Sequence, residues 1–130
     1  MTSLTVYTDG SCRPNPGRGG WAYVALLPDC EIHESGAEKW TTNNRMELTA
    51  VLRVLEDFTT IREFTIYTDS LYVINCATGK WSRSKNEQEW TRYTELAKNK
   101  RIKYLWIKGH SGDRYNELVD KLAKEAAMSV

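Results

Sequence analysis

The sequence predicts an α/β fold built on a mixed sheet. Two observations carry that reading. Short runs rich in β-branched and aromatic residues are interleaved with segments of helical period, in the order three strands, helix, strand, two helices, strand, helix. The first and fourth of the extended runs flank the first long helix. A right-handed crossover through that helix makes those two strands parallel.

Leu4–Thr8 reads as the first strand, ended by Asp9-Gly10. The stretch from Arg13 to Gly20 is dense in Pro and Gly and reads as a loop. Trp21–Leu27 is a second strand. Glu31–Glu38 is a more polar third, joined through Pro28-Asp29 and therefore expected as a hairpin partner at a sheet edge. Asn44–Phe58 is a helix, because Met46, Ala50, Val51, Val54, Leu55 and Phe58 recur at helical spacing. Phe64–Thr68 is the fourth strand. Leu71–Cys76 begins a short helix ending near Gly79. Glu87–Lys98 is a helix with Trp90, Tyr93, Leu96 and Ala97 inward. Lys103–Ile107 alternates as a fifth strand. In the last helix, Tyr115–Met128, Tyr115, Leu118, Val119, Leu122, Ala123 and Ala126 form an apolar stripe.

Length and composition bound the rest. The chain has 130 residues, within the ~100–150 typical of one domain, so residues 1–130 are expected to form a single unit. No apolar run approaches the ~18–20 residues of a membrane span, and the N-terminus runs into a strand rather than a signal peptide. Met1 just ahead of the first strand is expected of a free-standing protein. Three cysteines at unrelated spacings suit a reducing, cytoplasmic compartment and form no zinc pattern. The 18 basic and 17 acidic residues leave a net charge of +1, which taken whole argues against a nucleic-acid partner. The distribution is uneven. Between residues 80 and 108 nine basic side chains face only Glu87, Glu89 and Glu95. Trp81 and Trp90 lie among them. The run fits a solvated helix, and it also fits a surface that tracks phosphates.

The first and fourth strands both end in Thr-Asp, at Asp9 and Asp69. In open α/β sheets the functional crevice lies beyond the carboxyl ends of parallel strands. Neighbouring strands are ~5 Å apart, so the two carboxylates should stand side by side. Two ionised carboxylates that close need compensation, and hard oxygen donors favour magnesium or manganese. Glu47 stands one turn into the first long helix. It fits this group, and it also fits a capping box with Asn44 as N-cap. Asp120 lies off the apolar stripe of the last helix, on the side of Asp113 and Asn116, where it also reads as a surface partner of Lys121 and Lys124. Thr41, Thr42, Asn43 and Asn44 cluster hydroxyls and amides at a helix start, a composition suited to phosphate and sugar hydroxyls. His110 sits in a Gly-flanked loop, where an imidazole can move and shuttle protons.

Tyr-Thr-Asp-Gly-Ser at 7–11, Asn-Pro-Gly at 15–17, Thr-Thr-Asn-Asn-Arg-Met-Glu-Leu at 41–48, Thr-Asp-Ser at 68–70, Lys-Gly-His-Ser-Gly at 108–112 and Asn-Glu-Leu-Val-Asp at 116–120 together resemble the type 1 ribonuclease H family. The likeness runs over nearly the whole chain, in the family's order. It implies the ribonuclease H-like fold, a five-stranded mixed sheet flanked by helices, and an endonuclease that cuts the RNA strand of RNA–DNA hybrids, leaving 5′-phosphate and 3′-hydroxyl ends. It implies that Asp9, Glu47, Asp69 and Asp120 hold two magnesium ions, with manganese a possible substitute, and that His110 assists proton movement or product release. Asn15, Asn43 and Asn44 match groups that read 2′-hydroxyls, with Gly10 and Cys12 alongside. Thr42 matches a contact to a DNA-strand phosphate. The expected protein is an intracellular monomer with no membrane partner.

Two features depart from the family pattern. Leu71 follows Asp69-Ser70 where many members carry Gln. Only eight residues separate Trp81 from Trp90, where members with a basic protrusion carry a longer Lys- and Trp-rich insertion. The expectation is weaker and more salt-sensitive hybrid binding, with Trp81, Arg83 and Lys85 the remaining contacts of that region.

Overall fold

A central strand, β1 (Ser3–Cys12), organises the molecule. It pairs antiparallel with β2 (Gly17–Leu26), which pairs antiparallel with β3 (Glu31–Thr41). On its other side β1 pairs parallel with β4 (Glu63–Thr68), which pairs parallel with β5 (Arg101–Trp106). The five-stranded sheet has the order β3-β2-β1-β4-β5, the mixed architecture expected. The computed structural model describes residues 2–130, and Met1 lies outside them. Among those residues no helix is long and apolar enough to cross a membrane.

Alternation along the strands sorts the core into two layers. Leu4, Val6, Trp21, Tyr23, Phe64 and Ile66 face the helices α1 (Asn43–Asp57), α2 (Leu71–Ala77) and α3 (Glu87–Ala97). Tyr7, Ala22 and Val24 face α4 (Arg114–Ala127), which contributes Val119 and Ala123. Helix α1 is the most deeply set: Met46, Leu48, Ala50, Val51 and Val54 are fully buried. Truncating Met46 or Leu48 to Ala costs about 2–5 kcal/mol. That packing also fixes Glu47, which sits within the buried run.

Several boundaries differ from the sequence reading. The stretch 13–20 is only half loop. Glycines 17, 19 and 20 belong to β2, with a bulge between Gly17 and Gly19. A β-carbon on Gly20 would fall well inside 3.0 Å of the Ala123 carbonyl oxygen. The glycine there makes room for α4 rather than for a turn. Its partner β1 accordingly runs on through Cys12, and Asp9, paired with Ala22, is inside the strand rather than at its end. The α1 cap is also displaced. Thr42, not Asn44, is the N-cap, and its hydroxyl accepts from the Arg45 amide at 3.2 Å. In α4 the buried row is Asn116, Val119, Ala123 and Ala127, so the stripe is rotated from the one expected. Leu118, Leu122 and Tyr115 are only partly buried against it.

Candidate active site

The β1–β4 ladder stops at Tyr7 and Tyr67, whereas β1 continues to Cys12. Beyond the stop, one edge of β1 is free of a strand neighbour, and that opening is where three carboxylates meet. Asp9 comes from the overhanging part of β1. Asp69 is the first residue after β4. Glu47 reaches in from α1. Gly10 lets the helix close on the strand, since a β-carbon there would collide with the Met46–Glu47 backbone. One oxygen from each of Asp9, Glu47 and Asp69 lies within 4.8 Å of the others.

This group is buried and short of partners. Asp9 and Glu47 are 3% and 6% exposed. The Gly10 amide donates to Asp9 Oδ1 at 2.9 Å, but Asp9 Oδ2 and Glu47 Oε1 are buried without any hydrogen bond. Burial, then the charge of Asp69, pushes the Asp9 carboxyl up to about 8. Burial, then Asp9, raises Glu47 well above the usual carboxylate range. Burial, then Asp120, raises Asp69. Orphaned acceptors are costly, and three carboxylates cannot all be ionised here without a counter-charge. An all-oxygen donor set of this kind is able to hold a hard divalent cation.

Asp120 stands apart from the three. Its charge is felt at Asp69 and Asp9, yet its Oδ2 is paired with Lys124 Nζ at 2.9 Å. The surface reading of this residue therefore holds together with its nearness to the cluster. Asp113, on the same side of the sequence helix, caps α4 by accepting from the Asn116 amide. His110 is exposed, has a left-handed backbone with φ of 58°, and lowers Asp69 through its charge. The loop carrying it presses on the site: a β-carbon on Gly109 would stand 3.0 Å from Asp69 Oδ2.

The amide cluster is assembled from two loops. Asn15 Oδ1 accepts from the Asn43 backbone amide at 3.1 Å. Asn15, Thr42 and Asn44 share a cleft of about 370 Å³ with Tyr72, Lys85 and Asn86. Tyr72 was not singled out by the sequence, yet it organises the far wall. Its hydroxyl accepts from Asn86 Nδ2 and Trp90 Nε1, both at 2.9 Å. Cys12 is buried, its thiol within 3.4–3.5 Å of the Pro14, Gly17 and Thr41 carbonyls. Any contact from residue 12 to a ligand is left to its backbone. Trp81 is half-exposed, and Leu71 likewise.

The basic run from 80 to 108 is not one surface. Arg83 is turned inward, donating to the Cys76 and Ala77 carbonyls and Thr94 Oγ1 and stacking over Trp90 at 4.7 Å. Arg92 pairs with Glu56 and Glu95. Lys100 donates to the Thr59 and Ile61 carbonyls. Arg101 pairs with Glu63, at the opposite end of β5 from the site. Linear clustering overstated the local charge, because β5 carries its first residues about 17 Å away at ~3.3 Å per residue. Lys85 and Lys108 stay with the site, one in the cleft and one on the His110 loop.

A family model described as RNase H matches residues 1–128. The chain belongs to the ribonuclease H family. A ribonuclease H of Novosphingobium aromaticivorans is 38% identical, with 99% of each chain covered. One from Neorickettsia sennetsu is 41% identical over 99% of this chain and 95% of its own. Among solved structures, the N-terminal RNase H domain of a Mycobacterium tuberculosis protein superposes with a TM-score of 0.88 at 24% identity, covering 99% of this chain and 96% of that one. LC11-RNase H1, solved in complex with an RNA/DNA hybrid, gives 0.79 at 22% identity, covering 95% and 98%. At those identities the structures speak for the ribonuclease H fold. The family assignment makes this chain a nuclease.

Proposed function

We propose that this ribonuclease H hydrolyses the RNA strand of RNA–DNA hybrids, leaving 5′-phosphate and 3′-hydroxyl ends. The observation that carries the reading is the trio Asp9, Glu47 and Asp69, with two buried carboxylate oxygens left without hydrogen bonds, beside an amide-lined cleft. A hybrid-bound relative supports the substrate class. The trio together with Asp120 would hold two magnesium ions, manganese substituting, and bound ions of that kind activate water and stabilise the leaving 3′ oxygen.

The chain's own groups divide the remaining work. Asn15, Asn43 and Asn44 present neutral donors and acceptors, which can test for a 2′-hydroxyl without repelling a backbone. Gly10 and Cys12 contribute main-chain groups next to them. Thr42 keeps its hydroxyl proton free while its oxygen caps α1, so it can donate to a DNA-strand phosphate. Lys85 and the half-exposed Trp81 extend that contact. His110, on an exposed loop, takes or delivers a proton at the departing oxygen. The three free cysteines suit a cytoplasmic protein, and we expect it to act as a monomer.

An end-labelled cleavage assay with magnesium tests this. It compares RNA–DNA hybrid, double-stranded RNA, double-stranded DNA and a duplex with one embedded ribonucleotide. Cleavage confined to the RNA strand of hybrids, abolished by Asp9→Asn and by Asp69→Asn, is expected. Substantial hydrolysis retained in either variant overturns the site assignment.

A further inference from the structure

On the α4 side of the carboxylates, Ser11, Arg13, Arg18 and Lys124 line a cavity of about 270 Å³ backed by Ala127 and Met128. The geometry points to this cavity as a phosphate subsite that grips the backbone of the RNA strand beside the scissile bond. The inference rests on the hydrolysis of RNA in hybrids proposed above and adds a second holding point for the strand that is cut.

Position is the first argument. Ser11 lies two residues beyond Asp9 on the same face of β1, a step of about 7 Å. Lys124 lies four residues beyond Asp120, about 6 Å along α4. The strand and helix advance together: Tyr115 packs on Tyr7, and Ala123 packs on Gly20, the partner of Ser11. The cavity is therefore the next position along from the carboxylates. Charge is the second argument. Three cations line it; Lys124 is paired with Asp120 at 2.9 Å, so the charge left for a ligand is that of Arg13 and Arg18. Arg13 is exposed and has no acidic partner among the described residues. Arg18 donates through Nη1 to the Val130 carbonyl at 2.8 Å, which orients the guanidinium and leaves its other N–H groups available. Guanidinium groups suit phosphate oxygens in a fork geometry.

The β1–β2 turn decides which strand is held. Asn15 faces α1 and binds the Asn43 amide, whereas Arg13, two residues earlier, faces the α4 cavity. An amide ridge thus separates two recesses, one carrying Lys85 and one carrying Arg13 and Arg18. A duplex seated with its minor groove on the ridge places one backbone in each. The recess next to Asp9 and Asp120 receives the strand that is cut.

The test scans single neutral methylphosphonate linkages along the RNA strand of a hybrid with one fixed cleavage position. In the wild-type protein, one linkage close to the scissile bond should lower kcat/KM roughly tenfold or more, the scale of a charge-assisted contact. Arg13→Gln should lower kcat/KM on the unmodified hybrid to a similar extent, lose its response to that linkage, and reduce the salt slope of binding by about one. Arg18→Gln should behave alike. If it loses stability through the Val130 contact, Arg13→Gln decides alone. The proposal is overturned if both variants keep wild-type kcat/KM and salt slope, or if they respond to every linkage as the wild type does. Hybrid binding by the Asp69→Asn protein reads the same scan without cutting. A positional response there with no cleavage by the wild type would overturn the proposed reaction and leave the subsite standing.

Discussion

Gly10 lies under Glu47 so closely that a β-carbon on Gly10 would come well within 3.0 Å of the Glu47 backbone nitrogen, nearer than real β-carbons approach. The strand bearing one carboxylate and the helix bearing another are thereby set against each other by the absence of a single methyl group. Gly10→Ala must lift α1 from β1. Overpacking of this kind costs about 1–3 kcal/mol. The expected loss of hybrid cleavage is larger than that, about a hundredfold, because the Asp9–Glu47 spacing opens as well. Urea denaturation and single-turnover cleavage at saturating magnesium measure the two separately. Equal, small effects on both would contradict the relationship.

The buried carboxylates set the pH response of the metal-free protein. Asp9 holds its proton to about pH 8 in the folded chain, whereas an unfolded aspartate releases it near 3.9. The folded state therefore binds more protons over that interval, and stability falls as pH rises. It is fully present below about pH 4 and lost on passing through about 8. The melting temperature without metal should decline between pH 5 and 8, decline less in Asp9→Asn, and recover on adding magnesium at pH 8. A flat profile in the wild type would refute the assignment.

Arg83 serves the fold more than the substrate. Its guanidinium ties the end of α2 to α3 while covering Trp90, and so closes the shortened connection before Trp90. Arg83→Ala should lower stability by about 1–3 kcal/mol, the scale of losing hydrogen bonds from a charged donor at a part-buried site. Arg83→Lys should fail to restore it, since an ammonium lacks the planar fork. Recovery by lysine would show that charge alone is needed.

Lys85 and Arg101 offer a paired comparison. Lys85 lines the cleft with Thr42 and Asn44, whereas Arg101 pairs with Glu63 at the far end of β5. Lys85→Gln should raise KM for hybrid several-fold and lower the salt slope by about one. Arg101→Gln should change neither. A fall in affinity for Arg101→Gln would restore the basic run as one continuous surface.

Element order and type were legible because each long segment shows its own period. The apolar stripe of 44–58 located α1, and the Thr-Asp end located the close of β4, while β1 was found but runs on past Asp9. Glycine was the weak point. At 17, 19 and 20 it marks close packing of β2 on Pro14, on Thr41 and Met46, and on α4 in turn, a cause no local pattern reveals, so the loop was drawn too long and β1 too short. The sequence offers Asn44 as the cap because an asparagine side chain can bond an amide two or three residues on, and nothing local marks Thr42 as the residue that does so. The meeting of Asp9, Glu47 and Asp69 was legible in the two Thr-Asp motifs and the helix start, although Asp9 lies inside β1 rather than at its end. The inward turn of Arg83 and the burial of Cys12 depend on neighbours distant in sequence. Charge counted along the chain could not separate Lys85 from Arg101, because α3 carries the chain between them to the far end of β5.

The free edge of β1 past Tyr7 has a consequence for how this nuclease fails. Residues 5–7 are locked between two strands, but the part bearing Asp9 leans on β2 and on the first turns of α1. Glu47 is held between the fully buried Met46 and Leu48, so any sliding of α1 on the sheet moves it while β1 and β2 stay paired. Being folded and being armed are thus separate conditions for this protein.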